Sequence, residues 1–244
     1  MEAVRRQLAG PEEVEAALAR GERLRLLLVS AAPRDPRVSA LAEAARAAGV
    51  PVHEASVASL RRLSKTDPPA EVLGLVGPDP GAGPAAVLAG RGAAWLFVGI
   101  AYPGNTGFAI RTAEVSGADG VFVDNDFDHE ARREATRAAM RADRYLPVFW
   151  MRAAEVLRLA REGGRAVIAL EDVGTAAPWD VDLTVPALFV LGGERHGIPA
   201  EILQAADRVL RLPMQGFIPS YNLQAAMAAV ALERLRQLSR KGTV

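Results

Sequence analysis

Three stretches far apart in the chain carry residue types that could share one pocket. They are Asn105-Thr-Gly107-Phe-Ala-Ile-Arg111, Leu191-Gly192-Gly193-Glu194-Arg195-His196-Gly197, and Leu212-Pro-Met214-Gln-Gly216 leading to Ser220-Tyr221-Asn222. In the first, an arginine follows an asparagine by six residues, one helical turn and a half further on. A planar guanidinium there suits a phosphate or a developing oxyanion; it could equally pair with Glu114 or Glu194. In the second, two glycines at a strand end would let backbone approach a ligand closely, and Glu194 could orient a polar group or stabilise the turn. In the third, Ser220 is placed to cap the final helix, and Asn222, in the first turn, is placed to face a ligand.

Rival chemistries fit less well. Gly99-Ile-Ala-Tyr-Pro-Gly104-Asn105-Thr106 has the spacing of a phosphate loop, but Asn105 stands where that motif needs lysine. No Gly-x-Gly-x-x-Gly turn follows the first strand, which argues against a dinucleotide fold. His53, His129 and His196 form no metal-ligand pattern, and the chain has no cysteine, so neither a disulfide nor a thiolate metal site is expected.

The elements that would position these groups fall into two blocks. Residues 1–77 alternate helix and strand patterns: helix from 11, strand 24–30, helix 36–48, strand 52–55, helix 57–63, strand 72–76. Gly and Pro crowd residues 77–84, which cannot continue a helix or central strand; residues 78–92 are read as a linker, with a helical turn near 85–90. From 93 to 244 the pattern restarts. Strands are predicted at 94–100, 120–124, 147–150, 166–171, 187–192 and 208–212, with helices between them and a long last helix at 221–239. Short apolar strands alternating with helices predict an α/β fold with a mostly parallel sheet covered on both faces. The first half of the last helix is apolar nearly all round, which predicts a buried helix rather than a surface cap.

Half of the 244 residues are hydrophobic, and 29 basic residues balance 29 acidic ones. A soluble globular protein is expected, with no membrane-spanning run, no secretory signal and a cytoplasmic location. Neutral net charge argues mildly against nucleic-acid binding, but Arg132, Arg133, Arg137, Arg141 and Arg144 concentrate in one predicted helix and the loop after it. They read either as a solvated face or as an RNA-binding patch. Asparagine occurs only at 105, 125 and 222, and two of the three lie in the stretches above.

Taken together, order and spacing resemble the SpoU/TrmH branch of the SPOUT RNA methyltransferases. That branch carries Asn-x-Gly-x-x-x-Arg, then Gly-Asn-Glu-Gly-x-Gly after an apolar strand, then Ile-Pro-Met-x-Gly before Ser-Leu-Asn. The resemblance spans residues 93–240, and residues 1–77 are similar to the L30e-like substrate-binding domain of many members. It implies a 2′-O-ribose methyltransferase using S-adenosylmethionine on rRNA or tRNA. It also implies a C-terminal trefoil knot and a homodimer formed through the C-terminal domain, with an active site drawn from both subunits. Carried over by position, Asn105, Arg111, Glu194, Ser220 and Asn222 would be catalytic or site-ordering. Leu170, Gly192, Gly193, Leu212, Met214, Tyr221 and Leu223 would line the cofactor pocket, and no metal is implied.

This chain departs from the pattern at several positions. Gly193 replaces Asn, Arg195 replaces Gly, Tyr221 replaces Leu, and Leu223-Gln224 replaces Val-Ser. Ala139-Met140-Arg141-Ala142 stands where members often have Ser-x-Gly-Ala, and Pro68-Pro-Ala-Glu71-Val replaces a common His-Gln-Gly segment. The alternatives are an RNA-binding protein that kept the fold and lost activity, and an RNA base methyltransferase.

Overall fold

The computed structural model describes residues 6–22, 24–64, 66–77, 79–218 and 220–242. Chain contacts divide it into two units, one ending at Asp79 and the other running from Pro80.

The N-terminal unit contains β1 (Arg6–Ala9), α1 (Pro11–Ala19), β2 (Leu24–Ser30), α2 (Pro36–Ala47), β3 (Val52–Ala55), α3 (Val57–Leu63) and β4 (Val72–Val76). Its sheet order is β1-β4-β2-β3, with β2 parallel to β3 and antiparallel to β4. The Asp35 carboxylate caps α2 by accepting from Arg37 N–H, and Ser56 caps α3 by accepting from Ser59 N–H. Val14, Leu27, Val38 and Val72 form its buried centre. Strand β1 was not expected: it buries only Leu8 and exists by antiparallel pairing with β4.

The C-terminal unit contains α4 (Pro84–Leu88), β5 (Ala93–Val98), α5 (Pro103–Val115), β6 (Gly120–Asp124), α6 (His129–Ala138), β7 (Val148–Trp150) and α7 (Ala153–Glu162). It continues with β8 (Ala166–Leu170), β9 (Ala187–Gly192), α8 (Ala200–Ala205), β10 (Arg208–Leu210) and α9 (Leu223–Arg240). All six strands are parallel, in the order β10-β8-β9-β5-β6-β7. Alternate residues of β5 feed two cores on opposite faces. Trp95 and Phe97 join Ile110 and Met227 on one side; Leu96 and Val98 join Phe122, Val156 and Ile202 on the other. Residues 84–88 were expected within a linker. Instead Val87 and Leu88 are buried in the second of these cores, because an apolar pair on a short helix lowers its free energy by packing on the sheet.

The last helix differs from expectation. Leu223, Met227, Val230, Ala231, Arg234 and Leu238 are buried, at the three-to-four spacing of one helical face. Ala225, Ala229 and Leu232 are exposed, so the helix is covered on one side and bare on another.

From β5 the chain moves outward to β6 and β7, and then returns to place β8, β9 and β10 on the other side. That reversal puts a crevice at the carboxyl ends of the central strands, where α/β sheets bind ligands.

Candidate active site

The second and third stretches meet at that crevice, and the first is joined to them through Asn105. A cavity of about 430 Å³ is bounded by the end of β8 (Leu170, Glu171, Asp172), the β9–α8 loop (Gly192, Gly193, Glu194, Arg195) and the segment running into α9. From that last segment come Leu212, Met214, Ser220, Tyr221, Asn222 and Leu223. The size is that of a small-molecule site. Its walls combine apolar side chains with glycine backbone, and its rim carries Glu171, Asp172, Glu194 and Arg195.

All seven residues expected to line a cofactor pocket (Leu170, Gly192, Gly193, Leu212, Met214, Tyr221 and Leu223) border this cavity. So do Glu194, Ser220 and Asn222. Asn105 is joined to them through hydrogen bonds. Arg111 is exposed on α5 and does not border the cavity. Among the described residues its guanidinium has no hydrogen-bond or ion-pair partner. The expected alternative of a bond to Glu194 is therefore not formed: that carboxylate is occupied by other donors.

Those donors define the centre of the site. Glu194 Oε2 accepts from the Ala101 N–H at 2.9 Å, and Oε1 accepts from Asn105 Nδ2 at 2.5 Å. Asn105 Oδ1 in turn accepts from Gln224 Nε2 at 3.2 Å. Asn222 Oδ1 accepts from Gln224 N–H at 2.9 Å and so caps α9. The expectation that Ser220 caps this helix is corrected: the helix begins at Leu223, which puts the cap on Asn222. Pro219, next to Ser220, lies outside the described residues. Tyr221 donates its hydroxyl to the Pro213 carbonyl at 2.8 Å and ties together the two ends of its loop.

Glycines in the motifs have packing reasons. A Cβ on Gly107 would lie 2.2 Å from Ala135 O, so α5 and α6 cross at a distance only glycine allows. A Cβ on Gly193 would lie 1.9 Å from Gly99 O. Gly193 borders the cavity, as expected, and it also lets the β9 and β5 loops approach each other closely. Glycine in place of the family's asparagine is what this loop geometry requires.

Some contributors gave no sequence signal. Gln224 was noticed only as a departure from the motif. Glu171 holds the far end of the β9–α8 loop by accepting from Ile198 N–H at 2.8 Å. Asn125 Nδ2 donates to Ile100 O and steadies the loop before α5; the scarcity of asparagine was its one available signal.

The arginine cluster follows α6. Arg132 lies 4.7 Å from the centre of the Trp150 ring and donates Nε–H to Phe127 O. Arg133, Arg137, Arg141 and Arg144 are exposed. Among the described residues their guanidinium groups have no hydrogen-bond or ion-pair partner. His196 is exposed in its loop, and among the described residues no group of three His, Asp or Glu side chains could hold a metal ion. No helix of the described residues is long and apolar enough to cross a membrane.

A family model described as RNA 2′-O ribose methyltransferase substrate binding matches residues 8–80. The 23S rRNA (guanosine-2′-O-)-methyltransferase RlmB of Pseudomonas syringae pv. tomato is 28% identical over 59% of the chain and 58% of its own length. The protein of the same name from Xanthomonas axonopodis pv. citri is 26% identical over 88% of the chain and 90% of its own length. The chain thus spans little more than half of the first relative and nearly all of the second. In fold it is similar to the SpoU methyltransferase AviRb from Streptomyces viridochromogenes, whose crystal structure holds the cofactor AdoMet. There the TM-score is 0.60 at 22% identity, covering 97% of this chain and 91% of that one. The cavity-bearing sheet and its three converging loops coincide with residues 94–232, which match the model of the SpoU rRNA Methylase family, and the chain belongs to that family.

Proposed function

We propose that this protein is an RNA 2′-O-ribose methyltransferase that takes its methyl group from S-adenosylmethionine. The observation that carries the reading is a cavity walled by the second and third motif segments, with Asn105 of the first hydrogen-bonded to Glu194 at its edge. The lining suits such a cofactor: Leu170, Leu191, Leu212, Met214 and Leu223 offer apolar walls, and Gly192 and Gly193 offer backbone without side chains. S-adenosylmethionine supplies an electrophilic methyl on a sulfonium whose charge is lost in transfer, so a largely neutral slot is adequate.

The work left to the protein is alignment and charge stabilisation. In-line displacement depends on holding the ribose oxygen against the reacting carbon. Glu194, held by Ala101 N–H and Asn105, and Asn222, held at the start of α9, are fixed groups at that position. Arg111 is a poor base near neutrality because a guanidinium keeps its proton. In this reading it grips the phosphate next to the target ribose and stabilises the developing alkoxide, while the hydroxyl proton leaves to solvent. Arg111 stands outside the cavity lining, which favours a homodimer in which one subunit's arginine serves its partner's cavity. Exposed Phe108 and Val115 on α5 and Leu232 on α9 are the apolar side chains such an interface would cover. The family's trefoil knot belongs to the same reading. Its support is the return of the chain from edge strand β10, past β8 and β9, to pack α9 against α5.

The N-terminal unit would hold the RNA in an L30e-like manner, and the α6 arginines would add phosphate contacts. Named relatives point to guanosine in 23S rRNA as the first substrate to test, and such a substrate implies a cytoplasmic protein. The motif departures motivate the rival reading of an inactive RNA-binding protein, but Gly193 and Tyr221 each fit the loops they occupy.

Incubation with methyl-labelled S-adenosylmethionine and 23S rRNA, followed by nucleoside analysis, tests the proposal. A 2′-O-methylnucleoside and a matching block to alkaline cleavage are expected. Methyl on a base would support the base methyltransferase. Absence of cofactor binding by calorimetry at millimolar concentration would support the inactive protein.

A further inference from the structure

We propose that Gln224 is a positioning residue: its side-chain amide donates to Asn105 Oδ1 and so locks the Asn105 carboxamide in the orientation that turns its NH₂ toward Glu194. The consequence for turnover rests on the methyl-transfer reading above; the positioning itself does not.

The argument is one of donors and acceptors. An ionised carboxylate only accepts, and Glu194 takes the Ala101 N–H on Oε2 and Asn105 Nδ2 on Oε1. Asn105 must therefore present NH₂ to Glu194 and leave Oδ1 on its other side. Oδ1 faces Gln224 Nε2 at 3.2 Å, which is a donor. With an acceptor at 224, Asn105 would have to choose between turning its amide over, which sets Oδ1 against the carboxylate, and losing the contact. Gln224 is half-buried, and its backbone is fixed at the start of α9 by the Asn222 Oδ1 that accepts from its N–H at 2.9 Å. One residue thus links Asn105, and through it Glu194, to the cap of α9. A residue serving only to fill space would need neither the donor nor this polarity.

Three substitutions of similar length separate polarity from packing. Gln224→Met removes hydrogen bonding, Gln224→Glu offers acceptors only, and Gln224→Lys offers a donor again. In the free protein, the Asn105 side-chain amide is followed by ¹⁵N NMR, assigned by its loss in Asn105→Asp. Its NH₂ signals are expected to stay shifted and protected in wild type and Gln224→Lys, to weaken in Gln224→Met, and to be lost in Gln224→Glu. In turnover, Gln224→Met should lower kcat about tenfold with little change in KM for the methyl donor, since misalignment costs rate more than binding. Gln224→Glu should be slower still, and Gln224→Lys should recover much of the loss. Asn105 signals identical in all four proteins would overturn the proposal, as would equal kcat for the Met, Glu and Lys variants. If wild type transfers no methyl group, the functional reading falls, and the NMR series still decides whether Gln224 orients Asn105.

Discussion

Asn105 and Glu194, 89 residues apart in the chain, meet through a 2.5 Å hydrogen bond from Nδ2 to Oε1. The first belongs to the opening turn of α5 and the second to the loop after β9, so the bond joins two of the three motifs. Glu194→Gln keeps the shape but replaces one acceptor by an NH₂, which must then face either Ala101 N–H or Asn105 Nδ2. We expect kcat to fall by roughly ten- to a hundredfold, the range for a misplaced reacting group. The melting temperature should hardly change, because Glu194 is exposed and water can replace what is lost. Steady-state kinetics beside thermal unfolding measures both; a large fall in melting temperature would mean that the pair serves the fold instead.

Arg111 is expected to act as a fork. Arg111→Lys keeps the charge and loses the two-pronged geometry that suits a phosphate. We expect it to lower kcat/KM for RNA by at least about tenfold, the scale of one charge-assisted hydrogen bond, and Arg111→Ala by more. Lysine turnover matching wild type would show that charge alone suffices.

How far the sequence could be read depended on the range of the signal. Strands β5, β6, β8 and β9 are apolar runs bounded by polar or glycine residues, a local pattern, and they occur within two residues of the expected positions. Strand β1 has no such pattern, because its stability comes from pairing with β4, more than sixty residues away. The same distinction holds in the site. The motif residues were recognisable by type and spacing; the cavity gathers those of the second and third stretches, and Asn105 joins them through Glu194. Gln224 and Glu171 were not, since what matters is which distant atom each one reaches. Ser220 looked like the cap because serine favours that role; where the helix begins is settled by Asn222 and the packing of Leu223.

Arg165 is predicted to be the costliest single side chain to remove from the C-terminal unit. It is fully buried, donates to the carbonyls of Val87, Leu88, Gly92 and Ala187, and pairs with Asp119 at 2.6 Å. It joins α4 to the starts of β5 and β9. Arg165→Met would leave these acceptors and the carboxylate without their donor, a loss of about 3–5 kcal/mol. For a chain of this size that lowers the melting temperature by about 10 °C. Asp119→Asn should cost less, because an amide oxygen still accepts. Denaturant unfolding of both variants checks the ranking.

Acid should weaken the protein partly through Glu233. Hydrogen bonds from Arg236 first, and also from Gln237, hold its carboxyl down to about 2, against an ordinary value of 4.5. The unfolded chain therefore takes up this proton at a higher pH than the folded one. The stabilisation is complete above about pH 4.5 and is lost as pH falls toward 2. Asp182, held down to about 2 chiefly by Thr184, adds a contribution of the same sign. Glu233→Gln cannot titrate, so its stability should fall less than wild type between pH 5 and about pH 2.5. Urea midpoints across that interval measure the difference; parallel curves would rule out this source of acid sensitivity.

Met140 and Arg141 both adopt left-handed backbone, with φ of 52° and 64°. The conformation costs a non-glycine residue roughly 1–2 kcal/mol, and here two such residues are consecutive. Arg141 stands where the family often has glycine. Arg141→Gly should relieve part of that strain, offset by the greater freedom glycine has when unfolded. We expect a net gain of about 0.5–1 kcal/mol and a rise in melting temperature of about 2–4 °C. If Arg141 also contacts RNA, the same variant should bind more weakly and lower the salt dependence of binding by about 0.7 per lost phosphate contact. A higher melting temperature with unchanged salt dependence would remove Arg141 from the RNA surface while leaving the strain argument intact. An unchanged or lower melting temperature would show that arginine is accommodated there without cost.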